Sequence, residues 1–379
     1  MDYARRLEGL RRQMAAREFG LVTYGSGPDL QYLTGLGLGW RTGVDPISPV
    51  AALLVPAEAE PILVLPESQR DLAEEAWIED VRTFRDNADL DILIRQIAGD
   101  LGPAGGVAVG KDLGGGITAS LKAALGVAEF TPADGLMDSL RLIKEPEEID
   151  CLRRVAKLTD DVFQAVVGRI REGVTQPELE AEIRAEGLRR GAEGVSFNPA
   201  VIFTKSGSEP STEAFTYPRE DGLVSGTAIA FDIGFVSDGY CSDFGRSLYF
   251  GPVPGHIRGA YRALQQAVVD VVAAMRPGGI RMCDLFPTVA RTLDSLGYGD
   301  YLRARLPDKT LGHNIGIDIH ENPWINPLCD MPLQAGMVMA VEPKLWHSGE
   351  YYLRVEDIVL VGENSSEFLT TFDRRTFEL

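Results

Sequence analysis

TAIAFDIGFVSDGYCSDFGRSLYF, residues 227–250, is the stretch whose reading decides the fold. Apolar runs flank Ser237-Asp238-Gly239, and Asp-Gly between such runs is a strong short-range hairpin signal. A two-residue loop at Asp238-Gly239 sets Gly234 opposite Asp243. Side chains two apart on a strand share a face, so Asp232 and Asp243 become diagonal neighbours on one side of the ribbon. A one-residue slip would separate them. Asp232 also sits inside an apolar strand, where an unpaired charge is costly.

Three further segments carry the same kind of residue. His313 lies in GHNIGIDIH (312–320), Glu342 in AVEP (340–343) and Glu356 in LRVED (353–357). With Asp232 and Asp243 they make four carboxylates and one imidazole, an oxygen-rich donor set suited to two divalent cations. Two like charges about 4 Å apart repel by about 4 kcal/mol at an effective dielectric of 20. A converged cluster of four therefore needs metal, and the chemistry expected of it is metal-assisted hydrolysis. Arg354 shares a strand face with Glu356 and is placed to orient it or to bind an anionic group. On a regular strand His313 and His320 point to opposite faces, and Gly316 is where that regularity can break. Periodicity leaves the two arrangements open.

Taken singly, most of these residue types are bland. A lone Asp in a hairpin is usually a turn or surface residue, and Asp238 and Asp357 read that way. His256 opens a helix after GPVPG and reads as exposed. His347, between the two glutamate strands, reads as a solvated loop residue.

The chain of 379 residues has room for two domains. A net charge of -19 argues against nucleic-acid or anionic-membrane partners, which need basic patches. No apolar run is long enough to span a bilayer, and the first twenty residues read as a charged amphipathic helix. The four cysteines form no CxxC pair, which fits a reducing cytoplasm better than a disulfide framework. The first 140 residues alternate strands (FGLVTYG, PVAALLVP, EPILVLP) with helices expected at 66–77 and 90–99, an α/β pattern. Residues 35–49, GLGLGWRTGVDPISP, read as a long loop. A helix is expected from Glu145-Pro146, with the domain boundary near 140. Residues 141–379 then read as helix pair, strands, helix pair, strands: an α+β domain of two similar halves around one sheet.

The motifs resemble the pita-bread metallohydrolases, the group that includes prolidases, aminopeptidases P, methionine aminopeptidases and creatinase. FDIG followed by DGYCSDFGRS is similar to that family's first two aspartates at the same eleven-residue step. GHNIGIDIHENP resembles its histidine motif, and AVEP and LRVED its two glutamate motifs. PDLQYLTG (28–35) and RLIKEPEEIDCLRRVA (141–156) resemble a creatinase-type N-terminal domain and its junction, which points to the proline-directed branch. The resemblance implies a pita-bread catalytic domain over 141–379 and a smaller creatinase-type α/β domain over 1–140. It implies Asp232, Asp243, His313, Glu342 and Glu356 as ligands of two divalent ions, from among Mn, Co, Zn and Fe. Asp243 and Glu356 bridge the two. Glu342 shuttles the proton, His320 stabilises the oxyanion or binds substrate, and Arg354 holds position near the site or grips a carboxylate. The implied activity is an Xaa-Pro dipeptidase or aminopeptidase P using a metal-bridging hydroxide, in a homodimer.

One part of the pattern is missing. The branch carries a further histidine before the first aspartate, and TKSGSEPSTEAFTYPRE (204–220) has Ala214 or Phe215 in its place. Three readings follow. Tyr217, Glu213 or Lys205 takes over the role in an Xaa-Pro peptidase; or the substrate is a small non-peptide amide or C–N compound, cleaved by a hydrolase or lyase; or the domain is a non-catalytic binding module. Arg41, in the long N-terminal loop, is a candidate sensor of a dipeptide's free carboxylate.

Overall fold

Glu145 and Pro146 start the longest helix among the described residues, Pro146–Val167. The Glu145 backbone N–H donates to the Glu148 carboxylate at 3.0 Å, and proline at the first helical position has no N–H left to satisfy. Its apolar positions recur at helical spacing, and Leu152, Val155, Val162, Phe163 and Val166 are buried without exception. The computed structural model describes residues 1–42, 51–102, 105–212, 215–303 and 310–379. The chain divides into two units, Met1–Arg141 and Leu142–Leu379.

In the first unit a six-stranded mixed sheet runs, edge to edge, Asp80–Phe84, Ile62–Pro66, Ala52–Pro56, Phe19–Gly25, Gly106–Val109, Thr131–Pro132. Helices Asn87–Leu101 and Gly115–Leu125 contribute Leu90, Ile94, Ile97, Ile117 and Leu121 to the core it shares with Leu21, Leu54 and Val64. Residues 67–75 form 3-10 turns in place of the α-helix expected from 66 to 77. Of the loop expected over 35–49, Trp40–Thr42 is a 3-10 turn and 43–50 lie outside the described residues.

In the second unit the helices Pro146–Val167 and Gln176–Arg189 pack on a three-stranded antiparallel sheet, Phe244–Phe250, Thr227–Ile233, Ala200–Lys205. Gly255–Ala274 and Met282–Ser295 share a second core with a five-stranded sheet, Glu321–Ile325, Gly312–Asn314, Val338–Val341, Asp357–Val361, Ser366–Phe368. The repeated helix-pair-plus-sheet pattern is therefore present, but each half has its own sheet. An antiparallel bridge, Gly245 to Glu356, joins them. The apolar run 351–361 holds two strands: Tyr351–Arg354 pairs with Lys344–His347, and Asp357–Val361 joins the five-stranded sheet. Val355 and Glu356 make the crossing between sheets. No helix among the described residues is long and apolar enough to cross a membrane.

Candidate active site

The hairpin holds one register from end to end. Asp232 faces Gly245 and Ile233 faces Phe244, while beyond Gly234 Val236 faces Cys241 and Ser237 faces Tyr240. Asp238 (φ 52°) and Gly239 (φ 74°) both take left-handed backbone, the requirement of the tight two-residue turn whose twist suits a hairpin. Asp243 thus lies diagonal to Asp232. Gly245, opposite Asp232, is needed small: a Cβ there would sit 2.6 Å from Nε of Arg354, whose side chain lies across it.

Oxygen atoms of Asp232, Asp243 and Glu356 lie within 4.8 Å of one another, as do donors of His313, Glu342 and Glu356, and of Asp243, His313 and His320. Asp243, His313 and Glu356 are buried. His313 Nε2 is 3.3 Å from the Asp243 carboxylate, and its Nδ1 is 3.0 Å from the backbone carbonyl of Asn314. A carbonyl only accepts, so Nδ1 donates to it, and this bond turns Nε2 toward the carboxylates.

Two cations serve the four carboxylates. Arg354 bonds to Asp232, and to Glu342 at 2.9 Å; Lys344 bonds to Glu342. A guanidinium nitrogen of Arg354 also lies 2.6 Å from Glu356 Oε2 without the alignment of a hydrogen bond. Burial raises the Glu342 carboxyl, but Lys344 and Arg354 outweigh it and hold the group down at about 2. The other two carboxyls go the opposite way. Burial and then the charge of Asp232 push Asp243 well above the usual range; burial pushes up Glu356, with Arg354 opposing and Asp243 adding. Asp232 Oδ1, Asp243 Oδ1 and both Glu356 oxygens, though buried, accept no hydrogen bond from the described residues. Buried acceptors without donors, stacked on like charges, are the donor set a divalent ion fits.

His320 joins the cluster by a turn. The strand ends at Asn314, the chain turns over 315–320, and the His313 and His320 rings meet edge to face at 4.5 Å. Trp324 packs on both, at 5.3 and 4.9 Å. One side of His320 stays exposed; desolvation of the other, then the nearby His313, lowers its pKa, favouring the neutral imidazole. Glu321 clamps the turn from behind. Its carboxylate accepts from Asp318 N–H at 3.2 Å and pairs with buried Lys144 at 3.1 Å, in space that a side chain at Gly316 would fill.

The five motifs, far apart in sequence, thus meet in space as groups that could hold metal ions, and two comparisons name the family. Residues 150–363 match metallopeptidase family M24, and residues 6–143 match the creatinase/prolidase N-terminal domain. The chain belongs to metallopeptidase family M24. It is 30% identical over 351 residues to the candidate dipeptidase YkvY of Bacillus subtilis (strain 168), covering 90% of this chain and 91% of that one. Among solved structures it resembles a dipeptidase from Pyrococcus horikoshii OT3 (TM-score 0.86, 26% identity, 99% and 100% of the two chains). A prolidase from Thermococcus sibiricus matches equally well (TM-score 0.86, 25% identity, 100% of both chains). The fold is accordingly the two-domain creatinase and pita-bread arrangement, and the protein is a metallopeptidase.

Several features of this metallopeptidase escaped the sequence reading. Asp357, read as a surface residue, is fully buried. It accepts from Arg246 at 2.5 Å, Thr370 at 2.7 Å and Arg374 at 2.8 Å. Arg246 in turn donates to the backbone carbonyls of Gly245 and Glu356, at 2.8 and 2.7 Å, bracing the bridge that carries Glu356. His347 is half-buried rather than solvated, stacked on Tyr301 at 4.4 Å. His256 is exposed, within reach of Glu350 at 3.2 Å. Arg41 lies in the first unit, where it donates to Gln31 at 3.2 Å and stacks on Trp40.

Around the expected histidine, Glu213 and Ala214 lie outside the described residues. Phe215 is described, and it lines the same pocket as Asp232 and Glu342. Of the proposed stand-ins, Tyr217 donates to Gly222 O at 2.7 Å and Lys205 to Ser225 O. Both line a separate pocket with Trp346.

Proposed function

We propose that this metallopeptidase is a dinuclear enzyme that hydrolyses Xaa-Pro peptides through Asp232, Asp243, His313, Glu342 and Glu356. The observation that carries the reading is the overlap of the ligand groups. Glu356 belongs both to the group with Asp232 and Asp243 and to the group with His313 and Glu342, so one carboxylate would serve both ions. The names of the dipeptidase and prolidase relatives support a peptide substrate.

When bound, two divalent ions supply an activated water and polarise the scissile carbonyl. Glu342 takes the proton from the attacking water and returns it to the leaving nitrogen as the C–N bond breaks. His320, neutral and beside His313, donates a hydrogen bond to the carbonyl oxygen as charge develops there. Arg354 holds Asp232 and Glu342 in place across Gly245. Buried Arg246 and Asp357 keep the Glu356 bridge in register.

A small non-peptide amide is the second reading, favoured by Phe215, an apolar ring on the pocket wall in the region where an imidazole was expected. A substrate panel on Mn- or Co-loaded protein separates the two. Turnover of Xaa-Pro dipeptides, abolished by Asp243→Asn, supports the first reading; turnover of small amides alone replaces it with the second. A homodimer in a reducing cytosol goes with the first reading, and light scattering after size exclusion checks the dimer.

A further inference from the structure

The pocket beside the ligands has a volume of about 300 Å³ and is lined by three cations, Arg303, Lys344 and Arg354. Two of them are engaged by carboxylates of the cluster. Arg303 is different. It is half-buried, its guanidinium lies 5.5 Å from the ring centres of both Phe215 and Tyr352, and no carboxylate among the described residues pairs with it. In a chain with 56 acidic against 37 basic residues, a guanidinium left to two aromatic rings is out of the ordinary.

The contact with the rings orients Arg303 without using its five N–H donors, because a π face attracts the cation and accepts no strong hydrogen bond. Phe215 and Tyr352 are themselves locked edge to face at 5.2 Å. A planar fork held by a rigid aromatic pair suits bidentate recognition of a carboxylate. Asp232 and Glu342 line the same pocket, so a ligand at the candidate metal centre is enclosed by the walls that carry Arg303. The volume lies at the small end of the ~300–1,000 Å³ usual for small-molecule sites.

We propose that Arg303, seated on Phe215 and Tyr352, is a carboxylate-recognition subsite that selects small amides bearing a free carboxylate close to the scissile bond. Resting on the Xaa-Pro reading, this narrows the substrate to dipeptides over C-terminally blocked or longer peptides. It also accounts for the residue found in the missing histidine's region, since Phe215 is a platform for the guanidinium.

The test is steady-state kinetics of Mn-loaded wild type, Arg303→Gln and Arg303→Lys with Ala-Pro and with its neutral C-terminal amide. Arg303→Gln should raise KM for Ala-Pro about ten-fold or more, with kcat within about two-fold, and leave the amide unchanged. Arg303→Lys should recover part of the loss. Equal effects on acid and amide, or no effect on either, overturn the subsite. If the loaded wild type cleaves neither, the Xaa-Pro reading fails separately, and calorimetry with N-acetylglycine and N-acetylglycinamide reads the subsite. Binding of the acid that weakens in Arg303→Gln supports it; equal binding of the two, or no binding of the acid, overturns it.

Discussion

Asp232 lies on a paired strand, Asp243 in the two-residue step just before the strand Phe244–Phe250, and Glu356 on an antiparallel bridge, and the last two are almost fully buried. On the facing wall, Phe215 is 51% exposed and Arg303 half-buried, and each borders residues outside the described set. The floor is over-determined. Register, buried ion pairs and backbone hydrogen bonds all specify the same positions. The wall rests on a few ring and cation contacts. Catalytic chemistry needs donors fixed to a fraction of an ångström, whereas substrate choice can be retuned by side chains on loops. The floor should therefore fail abruptly when altered, and the wall by degrees.

The largest effect belongs to the floor. Asp243→Asn should lower kcat/KM by about 1,000-fold or more and reduce bound metal, read by turnover and elemental analysis. Retained activity would move the ligand role elsewhere. Next is the brace beneath it. Asp357→Ala leaves Arg246 charged and unpaired in the core and should cost about 3–5 kcal/mol in urea unfolding; a loss well under 1 kcal/mol would mean the network holds nothing in place. The His320 turn comes third. Lys144→Met removes the buried cation paired with the Glu321 carboxylate and should reduce kcat roughly ten-fold at unchanged metal content, with Lys144→Arg closer to wild type. The smallest effect is on the wall: Phe215→Leu removes one ring under Arg303 and should raise KM for Ala-Pro about two- to five-fold. A collapse of activity there instead would erase the contrast between floor and wall.

Much of the floor was legible in sequence because its signals are local. Asp238-Gly239 sets the turn, the turn sets the register, and the register puts Asp232 and Asp243 on one face. The cap at Glu145-Pro146 is equally local. What stayed hidden depends on partners far along the chain. Arg246 lies 111 residues from Asp357, and Lys144 lies 177 from Glu321. Neither pairing leaves a trace in periodicity. YYLRVEDIVLV is buried along its whole length, so nothing in its pattern marks the break at Val355 and Glu356 where the chain changes sheets. Helix Gly115–Leu125 opens on glycines, poor helix formers, and depends on burial of Ile117 and Leu121. A seven-residue step from His313 to His320 gives opposite faces only on a continuous strand, and this strand stops after Asn314.

The most direct test of the central claim is the metal stoichiometry of the purified chain titrated with Mn²⁺ by calorimetry. Two ions per chain, with binding reduced in both Asp243→Asn and Glu356→Gln, is the predicted result. A chain that binds no ion, or binds two without regard to either substitution, would contradict a dinuclear centre built on these residues.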